Sequence, residues 1–140
     1  MSNLLLRILV AIGSSASISF GIWHFFVPKE WKWYSYIDAR ATELIVAVHA
    51  INIFFSLSLI LFGLMNILLI FGSKANRYSI AVVLGATCIV WFSRVLLQLV
   101  RPQGSMSPFL QYSMLSSFVV VFLCFAISLF SVLVKKDFGR

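Results

Sequence analysis

The residues of this chain that could do chemistry are a few polar side chains inside otherwise apolar segments. They comprise an arginine, two histidines, two amides and two polar aromatic residues: His24, His49, Asn52, Trp91, Arg94, Gln98 and Tyr112. Such groups are costly inside a membrane, so they usually face a bundle interior or a water-filled cavity. Counted along the predicted helices from the ends of the segments, they all lie in the same half of the membrane thickness. The sequence therefore predicts a polar pocket at one end of a helical bundle.

One interpretation of this set is a binding site for an amphipathic ligand. The guanidinium of Arg94 suits a carbonyl, carboxylate or phosphate group. A histidine can donate a hydrogen bond or pass a proton, and Trp91 lies about one helical turn from Arg94. The predicted ligand is therefore quinone-like or lipid-like, because such molecules join a polar group to an apolar body.

Two other interpretations remain open. His24 and His49 fall on neighbouring helices at similar depth, so they could ligate a haem axially, with Arg94 at a propionate, or bind another metal. A quinone is preferred to either group, because the chain has neither HxxxH nor CxxCH. Glu43 lies on a different helix face from His49, which argues against a compact His/His/Glu metal site. The polar residues could also be purely structural, as interhelical hydrogen bonds worth about 0.6 to 2 kcal/mol each.

No motif in the chain identifies a reaction. There is no glycine-rich phosphate loop and no GxSxG, and the serines of the first apolar segment are typical of close helix packing. Cys88 and Cys124 lack metal-ligand spacing and are expected to be buried apolar residues. The sequence therefore leaves open whether the protein is an enzyme. A transporter or channel is less favoured, because four helices are few for a pore.

The elements that must position the polar residues are four long apolar segments. The 140-residue chain is 61% hydrophobic and 11% charged, whereas soluble domains are about half apolar and a quarter charged. Crossing the hydrocarbon core takes roughly 20 apolar residues as a helix. Four stretches qualify, at about 4–27, 43–71, 78–100 and 109–134. We predict an all-α polytopic membrane protein, an up-down bundle of four transmembrane helices that forms a single domain over residues 1–140.

Each predicted helix carries one face of small or polar residues. These faces are Gly13 or Ser14, Ser17, Gly21 and His24 in the first; His49, Asn52, Ser56, Gly63 and Asn66 in the second; Thr87, Trp91, Arg94, Gln98 and Arg101 in the third; and Gln111, Tyr112 and Ser116 in the fourth. Small residues let helix backbones approach closely in a membrane. We expect these faces to meet in the bundle interior, with the large apolar side chains facing lipid.

The connection after the first helix is rich in aromatic residues. Pro28 is expected to end that helix, since the residue before a proline tends to leave the helical conformation. Trp31, Trp33, Tyr34 and Tyr36 follow it, and such rings favour headgroup depth. We predict that this segment lies along the membrane surface and covers the pocket.

The distribution of basic residues predicts the orientation. An even number of spans places both termini on one side, which holds Arg7, Lys74, Arg77, Lys135, Lys136 and Arg140, against Lys29, Lys32, Arg40 and Arg101 on the other. The side richer in basic residues is the cytoplasmic one, so both termini are predicted to be cytoplasmic. Because the cations flank helix ends, the formal charge of +7 indicates anchoring in a lipid bilayer and no nucleic-acid partner. A membrane-protein partner or a homo-oligomer stays open.

The stretch GIWHFFVP, at the end of the first apolar segment, resembles the DoxX-like small four-helix membrane proteins. The shared pattern is Gly-x-x-His-Phe-x-x-Pro, which falls here on Gly21, His24, Phe25 and Pro28. The chain departs from the family in the first loop, which lacks further prolines, and in the second helix, which begins ATELIVAVHAIN without an inward glutamate. The resemblance implies a multi-pass protein of a bacterial inner (plasma) membrane, in some members a partner of a quinone-linked oxidoreductase.

Overall fold

The computed structural model describes residues 3–73, 75–104 and 107–134. Within these ranges the chain forms four long α-helices and one short 3-10 helix, namely α1 (Asn3–Glu30), η1 (Trp33–Tyr36), α2 (Thr42–Phe71), α3 (Arg77–Val100) and α4 (Pro108–Val134). All four α-helices are long and apolar enough to cross a membrane. The predicted all-α fold with four spans is therefore confirmed.

Successive helices run antiparallel, and α1 lies between α2 and α4. α1 packs mainly on α2, α3 packs mainly on α4, and the contact between α2 and α3 is slighter. At most 33% of the most apolar window of each helix is buried inside the bundle. The remainder exposes large apolar side chains such as Phe54, Ile89 and Phe130, which require lipid or another apolar surface to cover them. The protein is a small four-span membrane protein.

The interface between α1 and α2 is built on small residues, as predicted. A Cβ atom added at Gly21 would lie 2.7 Å from the Ser56 carbonyl oxygen, and one added at Gly63 would lie 2.9 Å from the Ser14 carbonyl oxygen. Ser17 Oγ donates to the Leu59 carbonyl oxygen at 3.0 Å. The two backbones therefore approach closely because neither helix places a larger side chain between them.

The prediction of which face of α4 points into the bundle is wrong. Tyr112 and Ser116 are exposed, and the buried face begins further along the helix, with Phe118, Val121, Cys124, Phe125, Ser128 and Val132. Because α4 is apolar on all sides, its few polar residues do not mark the side that packs. Both cysteines are buried as predicted.

Side-chain hydrogen bonds connect helices towards the end of the bundle where α1 and α3 begin. Asn66 Nδ2 donates to Thr87 Oγ1 at 2.7 Å and so joins α2 to α3. Arg77 donates from Nε to the Val132 carbonyl oxygen at 2.9 Å and from Nη2 to the Leu133 carbonyl oxygen. The first residue of α3 thus satisfies carbonyl groups that the end of α4 leaves without helical donors.

α1 does not end before Pro28, as its sequence led us to expect, but continues to Glu30. Proline has no N–H group, so the carbonyl of His24, four residues earlier, loses its helical donor. Asn52 of α2 replaces that donor, since its Nδ2 lies 3.1 Å from the His24 carbonyl oxygen. A neighbouring helix satisfies the group that the proline leaves free, which lets the helix continue in an apolar environment.

Candidate functional site

A cavity of about 170 Å³ lies between the helices at the end of the bundle where α1 and α3 end. All four α-helices line it, through rings that include Phe20, Phe55, Trp91 and Phe118, and Trp31 lines it from the connection after α1. A dry engineered cavity of about 150 Å³ lined by apolar side chains binds benzene. The cavity therefore has room for a single six-membered ring.

His24 reaches this cavity from α1 and is held by Asn52 of α2. His24 Nδ1 lies 2.8 Å from Asn52 Oδ1, and Asn52 Nδ2 donates to the carbonyl oxygen of the same histidine at 3.1 Å. The imidazole also packs edge-on against Phe55, with ring centroids 4.7 Å apart, and against Trp33 at 6.2 Å. These contacts fix the ring, so that its Nδ1 edge faces α2.

Arg94 brings a positive charge to the cavity from α3. Its Nη2 donates to Gln103 Oε1, and its guanidinium carbon lies 4.6 Å from the ring centroid of Phe118 and 6.0 Å from that of Phe55. A cation over an aromatic face is stabilised by the ring quadrupole. These partners are all uncharged, so they leave the cation able to attract an electronegative group.

Gln98 contributes to the site through Gln103 and does not line the cavity itself. The buried Gln98 side chain donates from Nε2 to the Gln103 carbonyl oxygen at 2.9 Å, and its Oε1 accepts from the Gln103 N–H at 3.2 Å. Both hydrogen bonds fix the backbone of Gln103, whose side chain then accepts from Arg94. Gln98 is therefore a positioning residue for Arg94.

Trp91 presents an unpaired polar group. Among the described residues, the buried side-chain polar atoms without a hydrogen-bond partner are Trp91 Nε1 and Ser14 Oγ. Trp91 is only 1% exposed, and a buried indole N–H normally has an acceptor. Trp91 lines the cavity, but its Nε1 is closed off from it, so the indole contributes ring surface and no accessible donor to the site.

Of the residues predicted for this site, His49 and Tyr112 lie elsewhere. His49 is exposed on α2, where its Nδ1 lies 3.1 Å from the hydroxyl of Tyr34. Tyr112 is 64% exposed. His49 precedes Asn52 by one turn, and there α2 faces the connection after α1 instead of α1 itself. Helical spacing alone does not reveal that change of neighbour.

The two histidines therefore occupy different surroundings. His24 bonds Asn52 and lines the cavity, whereas His49 bonds Tyr34 on an outer face. This arrangement does not support a haem or metal ion held by both. Within residues 3–73, 75–104 and 107–134, no group of three or more His, Cys, Asp or Glu side chains could hold a metal ion.

Several cavity residues were missed by sequence reasoning. Gln103 lies in a connection, where helical spacing predicts nothing. Phe55 and Phe118 are two of the chain's 14 phenylalanines, and their type does not distinguish them from those that face outward. Of the aromatic connection that was expected to cover the pocket, Trp31 lines the cavity, whereas Trp33, Tyr34 and Tyr36 do not.

The chain matches no family model, no curated protein and no solved structure. The resemblance to DoxX-like proteins has no support from these comparisons and stays a prediction.

Proposed function

We propose that this protein binds a small amphipathic membrane ligand, of quinone or lipid type, in the cavity between its four helices. One observation carries the proposal: an apolar cavity of about 170 Å³ is lined by Arg94, whose partners in the described structure are all uncharged. Ligand sites are typically apolar concavities with a few placed polar groups that fix orientation. This cavity has that composition.

The position of the cavity supports a ligand that arrives from the membrane. Trp23 and Leu110 line it while remaining 52% and 39% exposed. Each of these side chains therefore borders the cavity on one side and the outer surface of the bundle on another, Trp23 on α1 and Leu110 on α4. A ring bound inside could extend an apolar chain past these residues into lipid.

Binding of trimethylbenzoquinone, trimethylhydroquinone and decanoate to the protein in detergent micelles, measured by isothermal titration calorimetry against empty micelles, tests the proposal. We expect at least one probe to bind, and Arg94→Gln to weaken its binding by about tenfold, the equivalent of one hydrogen bond at about 1.4 kcal/mol. Arg101→Gln is the matched control, because Arg101 is exposed beyond the end of α3. Its affinity should equal that of the unchanged protein.

Equal affinity of all variants would show that the probes enter the micelle and not the cavity. In that case the polar residues are structural, and their substitution should change only the stability of the bundle.

We further propose that both termini are cytoplasmic and that the cavity opens toward the other side of a bacterial inner membrane. The support is the positive-inside rule applied to the sequence, which has six basic residues on the side of Arg7 and Arg77 against four on the other. Lys74, Lys135, Lys136 and Arg140 fall outside the described residues. The assignment to a bacterial inner membrane rests on the resemblance to DoxX-like proteins. The proposal of a quinone-linked oxidoreductase as a partner rests on the same resemblance.

A further inference from the structure

We propose that the cavity selects a ring that carries a hydroxyl group, as a hydroquinone or phenol does, over the corresponding quinone. This inference rests on the proposed function and narrows its ligand class. It follows from the hydrogen bonds that join Pro28, His24 and Asn52.

The backbone carbonyl group of His24 fixes the orientation of the Asn52 side-chain amide. Pro28 leaves the His24 carbonyl without its helical donor, and a carbonyl oxygen can only accept. The atom 3.1 Å from it must therefore be the NH2 nitrogen of Asn52. The opposite amide orientation would place two oxygens against each other and leave the carbonyl unsatisfied.

The fixed amide in turn selects the tautomer of His24. With Nδ2 on the carbonyl, Asn52 presents Oδ1 to His24 Nδ1 at 2.8 Å. Oδ1 can only accept, so Nδ1 carries the hydrogen. A neutral imidazole has one N–H, so Nε2 is an acceptor. His24 lines the cavity, and its Nε2, the ring nitrogen that Asn52 does not contact, therefore needs a donor from the ligand.

Arg94, which also lines the cavity, has the opposite requirement. Its guanidinium can only donate. A ligand that satisfies both residues donates to His24 Nε2 and accepts from Arg94. A hydroxyl group does both, whereas a quinone oxygen only accepts and leaves His24 Nε2 unpaired.

Comparison of three probes that share a trimethylated six-membered ring tests this selection, with the quinone as the one matched in size to the hydroquinone. Trimethylhydroquinone, its dimethyl ether and trimethylbenzoquinone are titrated into the micellar protein under anaerobic conditions. We expect the hydroquinone to bind about tenfold more tightly than either of the others, the ratio that one hydrogen bond supports. Equal affinities, lost alike in Arg94→Gln, would overturn the selection and leave the proposed function intact. If neither these probes nor decanoate binds, the proposed function and the selection both fail.

The tautomer is measured independently of any ligand by 15N NMR of histidine-labelled protein. His49→Asn leaves His24 as the sole histidine of the given sequence, and the spectrum is recorded where the ring is neutral. We expect the Nδ1–H form, and a dominant Nε2–H form would overturn the inference. Pro28→Ala restores a backbone donor to the His24 carbonyl, which frees the amide to rotate, so a mixture of tautomers is expected. An unchanged spectrum would overturn the role assigned to the carbonyl.

Discussion

At the scale of single residues, the Asn52 side chain makes two hydrogen bonds to the same residue, His24. These two bonds explain why an amide lies inside a membrane helix. Its side chain satisfies both the carbonyl and the ring of His24. The need for it arises at Pro28, which cannot donate to that carbonyl. The polar pair is therefore part of how α1 continues to Glu30.

A double-mutant cycle on Asn52 and Pro28 tests this dependence. Asn52→Ala should lower the free energy of unfolding by about 1 to 2 kcal/mol, because it leaves a buried carbonyl without a donor. In a Pro28→Ala background the same change should cost less, since the backbone N–H at position 28 takes over. Unfolding in mixed micelles measures all four proteins. Strictly additive effects would contradict the assigned hydrogen bond.

Sequence reasoning found His24, Asn52, Trp91 and Arg94 because an ionisable, amide or indole group in an apolar helix has few places to lie. On the same grounds it placed His49 and Tyr112 in the site, and this placement was wrong. The sequence does not show which segments lie next to those two residues. Whether a polar residue near a helix end meets another helix, a connecting segment or lipid depends on tertiary packing. The sequence pattern does not contain that packing.

At the scale of the elements, the contact of α1 with α2 depends on two glycines. Gly21→Ala and Gly63→Ala should each destabilise the protein by about 1 to 3 kcal/mol, because the added methyl meets backbone oxygen at less than 3 Å. Gly85→Ala is the control, since nothing lies within 4 Å of the Cβ it would add. Its higher helix propensity should leave stability unchanged or raised.

Unfolding of these three variants in mixed micelles provides the measurement. Equal stability of the Gly21, Gly63 and Gly85 variants would contradict the close approach of the two helices.

The helices themselves followed from sequence, because length and apolar composition determine a membrane span. Two details of these helices did not follow from the sequence. Pro28 normally marks a boundary, and a donor on another helix overrode that tendency. The buried face of α4 begins beyond its polar residues, since an all-apolar helix carries no pattern that shows which side packs.

At the scale of the whole molecule, the orientation is open to a direct labelling test. Ala39→Cys and Ser73→Cys place thiols at opposite ends of the bundle, at exposed positions. The native Cys88 and Cys124 are buried and should remain unlabelled. In intact cells, a thiol reagent that cannot cross the membrane should modify Ala39→Cys, and Ser73→Cys only after lysis. The reverse pattern would contradict cytoplasmic termini.

The central claim is that the cavity with His24, and not the outer face with His49, binds a ligand ring. The most direct measurement is the affinity of trimethylhydroquinone for His24→Asn and His49→Asn, by calorimetry in micelles. Asparagine can keep the contact that His24 Nδ1 makes with Asn52 but has no counterpart of Nε2. The account predicts about tenfold weaker binding to His24→Asn, the loss of one hydrogen bond, and unchanged binding to His49→Asn. Equal affinities of the two variants, or loss in His49→Asn alone, would contradict it.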